Sequence, residues 1–146
     1  KSPIMKLKLI ITAMLMGLVF TTCDTDFHQT IPYKKVDFVI NFDPLLPDYW
    51  PLMTYGGYVY VTGGVSGIVV YRVDEWNFVA YDRSCSFDWE EDGSWIKVHP
   101  NGIMLIDSMC GSTYNVLDGT VIDGPARWPL REYNTRYDGY QLRVFN

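Results

Sequence analysis

Turn dipeptides set the limits on what this chain of 146 residues folds into. Asp92-Gly93, Asn101-Gly102, Asp118-Gly119 and Asp138-Gly139 punctuate its later part, and such pairs supply the positive φ angles that tight hairpins require. No segment after Cys23 holds a helical period over three turns. The runs are instead short and rich in β-branched and aromatic residues: "YVYVT", "GIVVYRV" and "NFVAYD", bounded by glycines. "VDFVINFD" alternates Val36, Phe38, Ile40 and Phe42 with Asp37, Asn41 and Asp43, a period of two that buries one face. "TRYDGYQLRV" is the clearest hairpin. "DPLLPDYWPLM" carries Pro44, Pro47 and Pro51, which interrupt helices and central strands, so an ordered loop around Tyr49 and Trp50 is expected. The length supports one modest core, and the pattern predicts an all-β domain of two small antiparallel sheets.

The first residues read as an address. From Met5 the chain carries Lys6 and Lys8, then runs apolar from Leu9 to Phe20. As a helix that run spans about 18 Å, short of the roughly 30 Å of bilayer hydrocarbon, so a secretory signal is expected rather than a membrane span. "FTTC" resembles the lipobox of bacterial lipoproteins, with Phe20 where Leu is usual; the resemblance implies lipidation of Cys23. Residues 1–22 are then the signal peptide, 23–35 the lipid attachment and tether, and 36–146 the domain. The expected place is the bacterial cell envelope, with the membrane as partner through the lipid. Lys1 to Ile4 read as translated upstream sequence.

Charge narrows the partners. The whole chain carries −5; without residues 1–22 it keeps nine basic against 17 acidic residues, a net −8. A surface that acidic repels phosphate backbones, and no basic patch is interleaved with aromatics, which excludes nucleic acid. "GGYVYVTGGVSG" lacks the Lys-Ser/Thr and following helix of a phosphate loop. "DWEEDG" reads as a solvated hairpin tip rather than a calcium site. Ser or Cys nucleophiles need a base within reach, and neither His28 nor His99 sits in such a motif; a paired-carboxylate hydrolase trails with nothing to point to it. Trp89 and Trp128 fall in loops, where an exposed ring could meet a glycan or an envelope protein; the simpler expectation is that both pack locally.

The final third then supplies an ordered string: Gly111, Ser112, Tyr114, Asp118-Gly119, Gly124-Pro125-Ala126, Pro129-Leu130 and Tyr133. "CGSTYNVLDGTVIDGPARWPLREY" resembles the second cluster loop and following hairpin of Rieske domains, and "NFVAYDRSCSF" resembles their first cluster loop. The resemblance implies a Rieske-like antiparallel sandwich in which two hairpin loops face each other at the cluster site. It also implies electron transfer by a [2Fe–2S] centre, whose ligands are two thiolates on one iron and two imidazoles on the other. Here Cys85 matches the first cysteine, but Phe87 holds the first histidine position, Asp107 the second cysteine position and Cys110 the second histidine position. Two sulfurs and no placed imidazole are too few soft donors for that cluster.

Besides two thiols simply left free, three fillings of the loop tips remain. The expectation is no cofactor and a Cys85–Cys110 disulfide, formed in an oxidising compartment and worth about 3 kcal/mol in the chain-entropy account. It would leave a non-enzymatic binding or structural module. The first alternative reads Cys85-x-x-Asp88 and Asp107-x-x-Cys110 as mirror-image knuckles. They are similar to the paired Cys-x-x-Cys of rubredoxin-like sites, and would hold one zinc or iron by Cys85, Asp88, Asp107 and Cys110. The second is the [2Fe–2S] electron carrier itself. Phe87, Gly111, Ser112, Tyr114, Gly124 and Pro125 form the loop framework in every case.

Overall fold

The computed structural model describes residues 31–43 and 47–146. The expected signal peptide, Cys23 and the start of the expected tether lie outside the described residues.

Among the described residues ten strands form two antiparallel sheets, the all-β class that the sequence pattern predicts. The larger sheet has six strands in the order β1 (Asp37–Asn41), β10 (Gln141–Phe145), β9 (Glu132–Tyr137), β4 (Phe78–Asp82), β3 (Ile68–Arg72), β2 (Tyr58–Val61). The smaller sheet runs in chain order: β5 (Ile96–Val98), β6 (Met104–Asp107), β7 (Thr113–Asn115), β8 (Val121–Asp123). β4 and β9 are neighbours in the large sheet, with Ala80 opposite Tyr133. The small sheet is therefore an excursion of the chain between two paired strands. It leaves through residues 83–95 and returns through residues 124–131, and both segments help to build the site described below.

Strand periodicity explains how one sheet serves two cores. Along β3, Ile68 and Val70 enter one apolar cluster with Val36, Ile40, Leu52 and Leu142. Val69 and Tyr71 enter another with Ile96, Leu105, Tyr114 and Leu130. Successive side chains alternate faces, so a strand buried on both sides reads as the unbroken apolar run "IVVY" rather than as an alternation. β1 keeps the alternation: Val36 and Ile40 are buried while Val39 is exposed. Asn101-Gly102, Asp118-Gly119 and Asp138-Gly139 turn β5 into β6, β7 into β8 and β9 into β10, each glycine with positive φ. Asp92-Gly93 instead lies within the longer connection between β4 and β5, closed at its base by a bridge between Ser84 and Trp95.

The proline-rich stretch differs from the expected loop. Pro47–Met53 forms a short 3₁₀ helix with Pro51 inside it, the tighter form used in brief connecting segments. Buried Arg72 anchors it, donating to the carbonyls of Leu52, Asp74 and Glu75. Residues 31–35, assigned to the tether, lie against the domain. Arg131 donates to the carbonyls of Ile31 and Pro32, and the Asn146 amide donates to that of Lys34.

Candidate metal centre

Two loops meet at one end of the small sheet. The first descends from β4 as Cys85-Ser86-Phe87-Asp88; the second connects β6 to β7 as Asp107-Ser108-Met109-Cys110. The ligand atoms of Cys85, Asp88, Asp107 and Cys110 all lie within 4.8 Å of one another. This is the set of four that the mirror-image spacing put forward, and the structure brings all four together.

Local hydrogen bonding fixes each donor. Asp107 Oδ1 accepts from the Met109 N–H at 2.7 Å and the Cys110 N–H at 3.4 Å, an Asx-type turn that shapes the second loop. The Phe87 N–H points to Cys85 Sγ at 3.4 Å and the Ser112 N–H to Cys110 Sγ at 3.4 Å. Each loop thus turns its backbone dipoles toward its own donor, which favours a charged ligand. Ser94 joins the loops: its hydroxyl lies 2.6 Å from Asp88 Oδ1 and 2.8 Å from Asp107 Oδ2. A hydroxyl has one proton, so it serves one carboxylate in full and leaves the other in need of a further donor or a cation.

The framework residues act through close approach. Gly124 has φ +101° and packs on the second loop; a Cβ there would stand 2.5 Å from Ser112 Cα. Two residues on, the Ala126 N–H donates to Ser112 Oγ, which also lies 3.0 Å from Cys110 Sγ. Pro125 links these two contacts within the Gly-Pro-Ala run. Gly111 sits at φ +79°, and a Cβ there would meet nothing within 4 Å among the described residues. The Tyr114 hydroxyl lies 3.2 Å from Cys85 Sγ. Phe87, half exposed, contributes its backbone and no ligand atom. Burial pushes the Cys85 thiol up to about 12, against the pull of Tyr114 and the Phe87 N–H, and burial raises Tyr114 as well. A thiol in so dry a place ionises readily only when a cation balances it.

The expected disulfide is not formed. Cys85 and Cys110 are free, and their sulfurs stand 3.5 Å apart, whereas an S–S bond is about 2.05 Å. Two sulfurs bound at about 2.3 Å to one tetrahedral ion stand roughly 3.7 Å apart, so the observed separation suits a shared ion. A Rieske diiron cluster does not fit the residues present. Phe87 and Asp107 occupy ligand positions of the resemblance, and His99 is in the β5–β6 turn, its Nδ1 accepting from the Asn101 N–H. Against the donor chemistry, one ion held by two thiolates and two carboxylates does fit.

Beside the sulfurs opens a cleft of about 470 Å³ lined by Phe87, Asp88, Glu90, Glu91, Met109 and Cys110. Trp89 is half-buried, its Nε1 enclosed without a hydrogen-bond partner among the described residues. Trp128 is 43% exposed, and its carbonyl accepts from the Ser86 hydroxyl. Ser94 was not legible in advance, because a serine after an Asp-Gly turn has no spacing signature that ties it to carboxylates in two loops.

No family model and no curated relative matches the chain. Among solved structures, it is similar to one described as a complex of reduced oxygenase and oxidized ferredoxin in carbazole 1,9a-dioxygenase. The TM-score is 0.47 and the identity 20%, over 63% of this chain and 82% of that chain.

Proposed function

We propose that this chain is an envelope lipoprotein whose Rieske-like domain holds a single tetrahedral metal ion, zinc by preference, between the two loops. The observation that supports this reading above all is the convergence of Cys85, Asp88, Asp107 and Cys110 within 4.8 Å. Four protein donors fill a tetrahedron, whereas catalytic zinc sites keep a position open for water or substrate. The role is therefore non-enzymatic: the ion clips the two loops and stiffens the end of the small sheet, which serves as a binding or structural module. Lipid on Cys23 would hold that module at a membrane surface, facing envelope proteins or glycans.

The test is the metal content and colour of the reduced full chain after loading. One zinc per chain, with no visible absorption and with Cys85 and Cys110 shielded from alkylation, supports the reading. Iron bound in the same donors would make the domain a coloured redox carrier instead. A reduced protein that takes up no ion and offers Cys85 and Cys110 freely to alkylation would refute the metal centre.

A further inference from the structure

We propose that Cys85 and Cys110 form a thiol pair through which a small-molecule disulfide such as oxidised glutathione expels the metal, so that the loop tips alternate between an ion clip and a disulfide clip. This rests on the metal reading above and adds its regulation.

Three features of the geometry carry it. The sulfurs come from different loops yet already lie 3.5 Å apart, so a bond between them needs a closure of roughly 1.5 Å. The two differ in access: Cys85 is fully buried, whereas Cys110 is half-buried and lines the open cleft. Cys110 is therefore the sulfur that an external disulfide reaches. The tip of the second loop borders open space, since a Cβ at Gly111 would meet nothing within 4 Å among the described residues and Met109 is 56% exposed.

The carboxylates do not depend on the ion for their places. Asp107 is held by the backbone of its own loop, and Asp88 by Ser94. With both thiolates withdrawn, two carboxylates remain as ligands, a set that holds zinc far more weakly than one with two thiolates.

Cys110 thiolate attacks one sulfur of the oxidised glutathione, forming a mixed disulfide and releasing one glutathione thiolate. Cys85 thiolate then attacks Cys110 Sγ, forming the internal disulfide and releasing the second. The two protein thiolates give up two electrons, the glutathione disulfide takes them, and the zinc departs as the divalent ion. A dithiol reductant with free zinc reverses the sequence.

The experiment uses the full chain carrying Cys23→Ser, which leaves Cys85 and Cys110 as its thiols, reduced and loaded with one equivalent of zinc. Oxidised glutathione is added with a metallochromic dye, and the thiols are mapped by alkylation and mass spectrometry. The expected result is release of the full equivalent of zinc, loss of both alkylatable thiols and a Cys85–Cys110 crosslinked peptide, all restored by reductant and zinc. Zinc retained with both thiols intact would overturn the switch, as would zinc release that leaves glutathione on Cys110 and Cys85 unbonded. A reduced chain that takes up no zinc at all overturns the metal reading and the switch together. Uptake without oxidative release overturns the switch alone.

Discussion

Two buried carboxylates, Asp82 and Asp107, end strands of different sheets, and their surroundings could hardly be less alike. Asp82 is fully buried and accepts five hydrogen bonds: from the N–H groups of Val65, Ser66 and Ser84, the Ser84 hydroxyl and the Tyr133 hydroxyl. It ties the β2–β3 turn to β4 and β9. Asp107 is equally buried but has the Met109 N–H, a long contact from Cys110 and a Ser94 proton that Asp88 also claims. Asp82 is surrounded by donors. Asp107 is short of donors and stands beside two sulfurs and another carboxylate. A donor-saturated carboxylate fastens the fold; a donor-poor one among thiols is placed to take part in the proposed metal centre.

The sharpest way to break the contrast is to remove each carboxylate in turn. Asp82→Ala should cost about 3–5 kcal/mol, because it strands several buried donors at once, and zinc should not change that loss. Chemical denaturation with and without metal checks this; a penalty that zinc cancels would mean that the two sites are not separate. Asp107→Asn keeps an oxygen for the Met109 N–H but loses the charge. The reduced metal-free protein should unfold near the wild-type midpoint. The zinc-dependent gain, about 4 kcal/mol when free zinc is a thousandfold above Kd, should vanish. An Asn variant that still rises in Tm with zinc would contradict the ligand assignment.

Gly64 sharpens the Asp82 side. It has φ +58°, and a Cβ would fall 2.3 Å from Asp82 Oδ2 and 2.6 Å from the Tyr133 hydroxyl. Gly64→Ala should therefore cost roughly 2 kcal/mol through strain and displacement of the carboxylate, with zinc binding unchanged, as a thermal melt and a zinc titration together would show.

The smallest effect concerns alkali. The Cys85 thiol is raised by burial from the usual value near 9 to about 12. A raised value means that the folded state favours the neutral thiol, so its contribution is complete below pH 9 and drains away as pH climbs toward 12. Tyr81, Tyr114 and Tyr133 are raised by burial too and act in the same direction at the top of that window. In the zinc-bound protein Cys85 is already a thiolate, so its share of the alkaline loss disappears. Melts of the reduced protein with and without zinc between pH 8 and 11 should diverge; superimposable pH profiles would contradict metal ligation by Cys85.

Much of the scaffold was legible because strands declare themselves locally. The alternation from Val36 to Phe42, the apolar run of β3 and three of the four glycine turns correspond to elements that the structure contains. What lay beyond reach depends on distant partners. The pairing of β4 with β9 joins Ala80 to Tyr133 across the whole excursion of the small sheet, and nothing in either strand names the other. The 3₁₀ helix over Pro47–Met53 was hidden by prolines that argue against an α-helix without arguing for its tighter relative. At the site, the four donors were legible from their mirrored spacing, since a three-residue interval in a turn places two side chains on one side. Ser94 and the Asp82 hub were not: apart from Ser84, beside Asp82, the partners named lie 6 to 51 residues away and carry no motif. The disulfide was an inference from compartment, and compartment says nothing about how two carboxylates arrange themselves around the sulfurs.

X-ray absorption at the zinc edge of the reduced, zinc-loaded chain tests the central claim most directly. The expected result is a four-coordinate shell of two sulfurs at about 2.3 Å and two oxygens at about 2.0–2.2 Å. A shell of oxygen and nitrogen alone would contradict it.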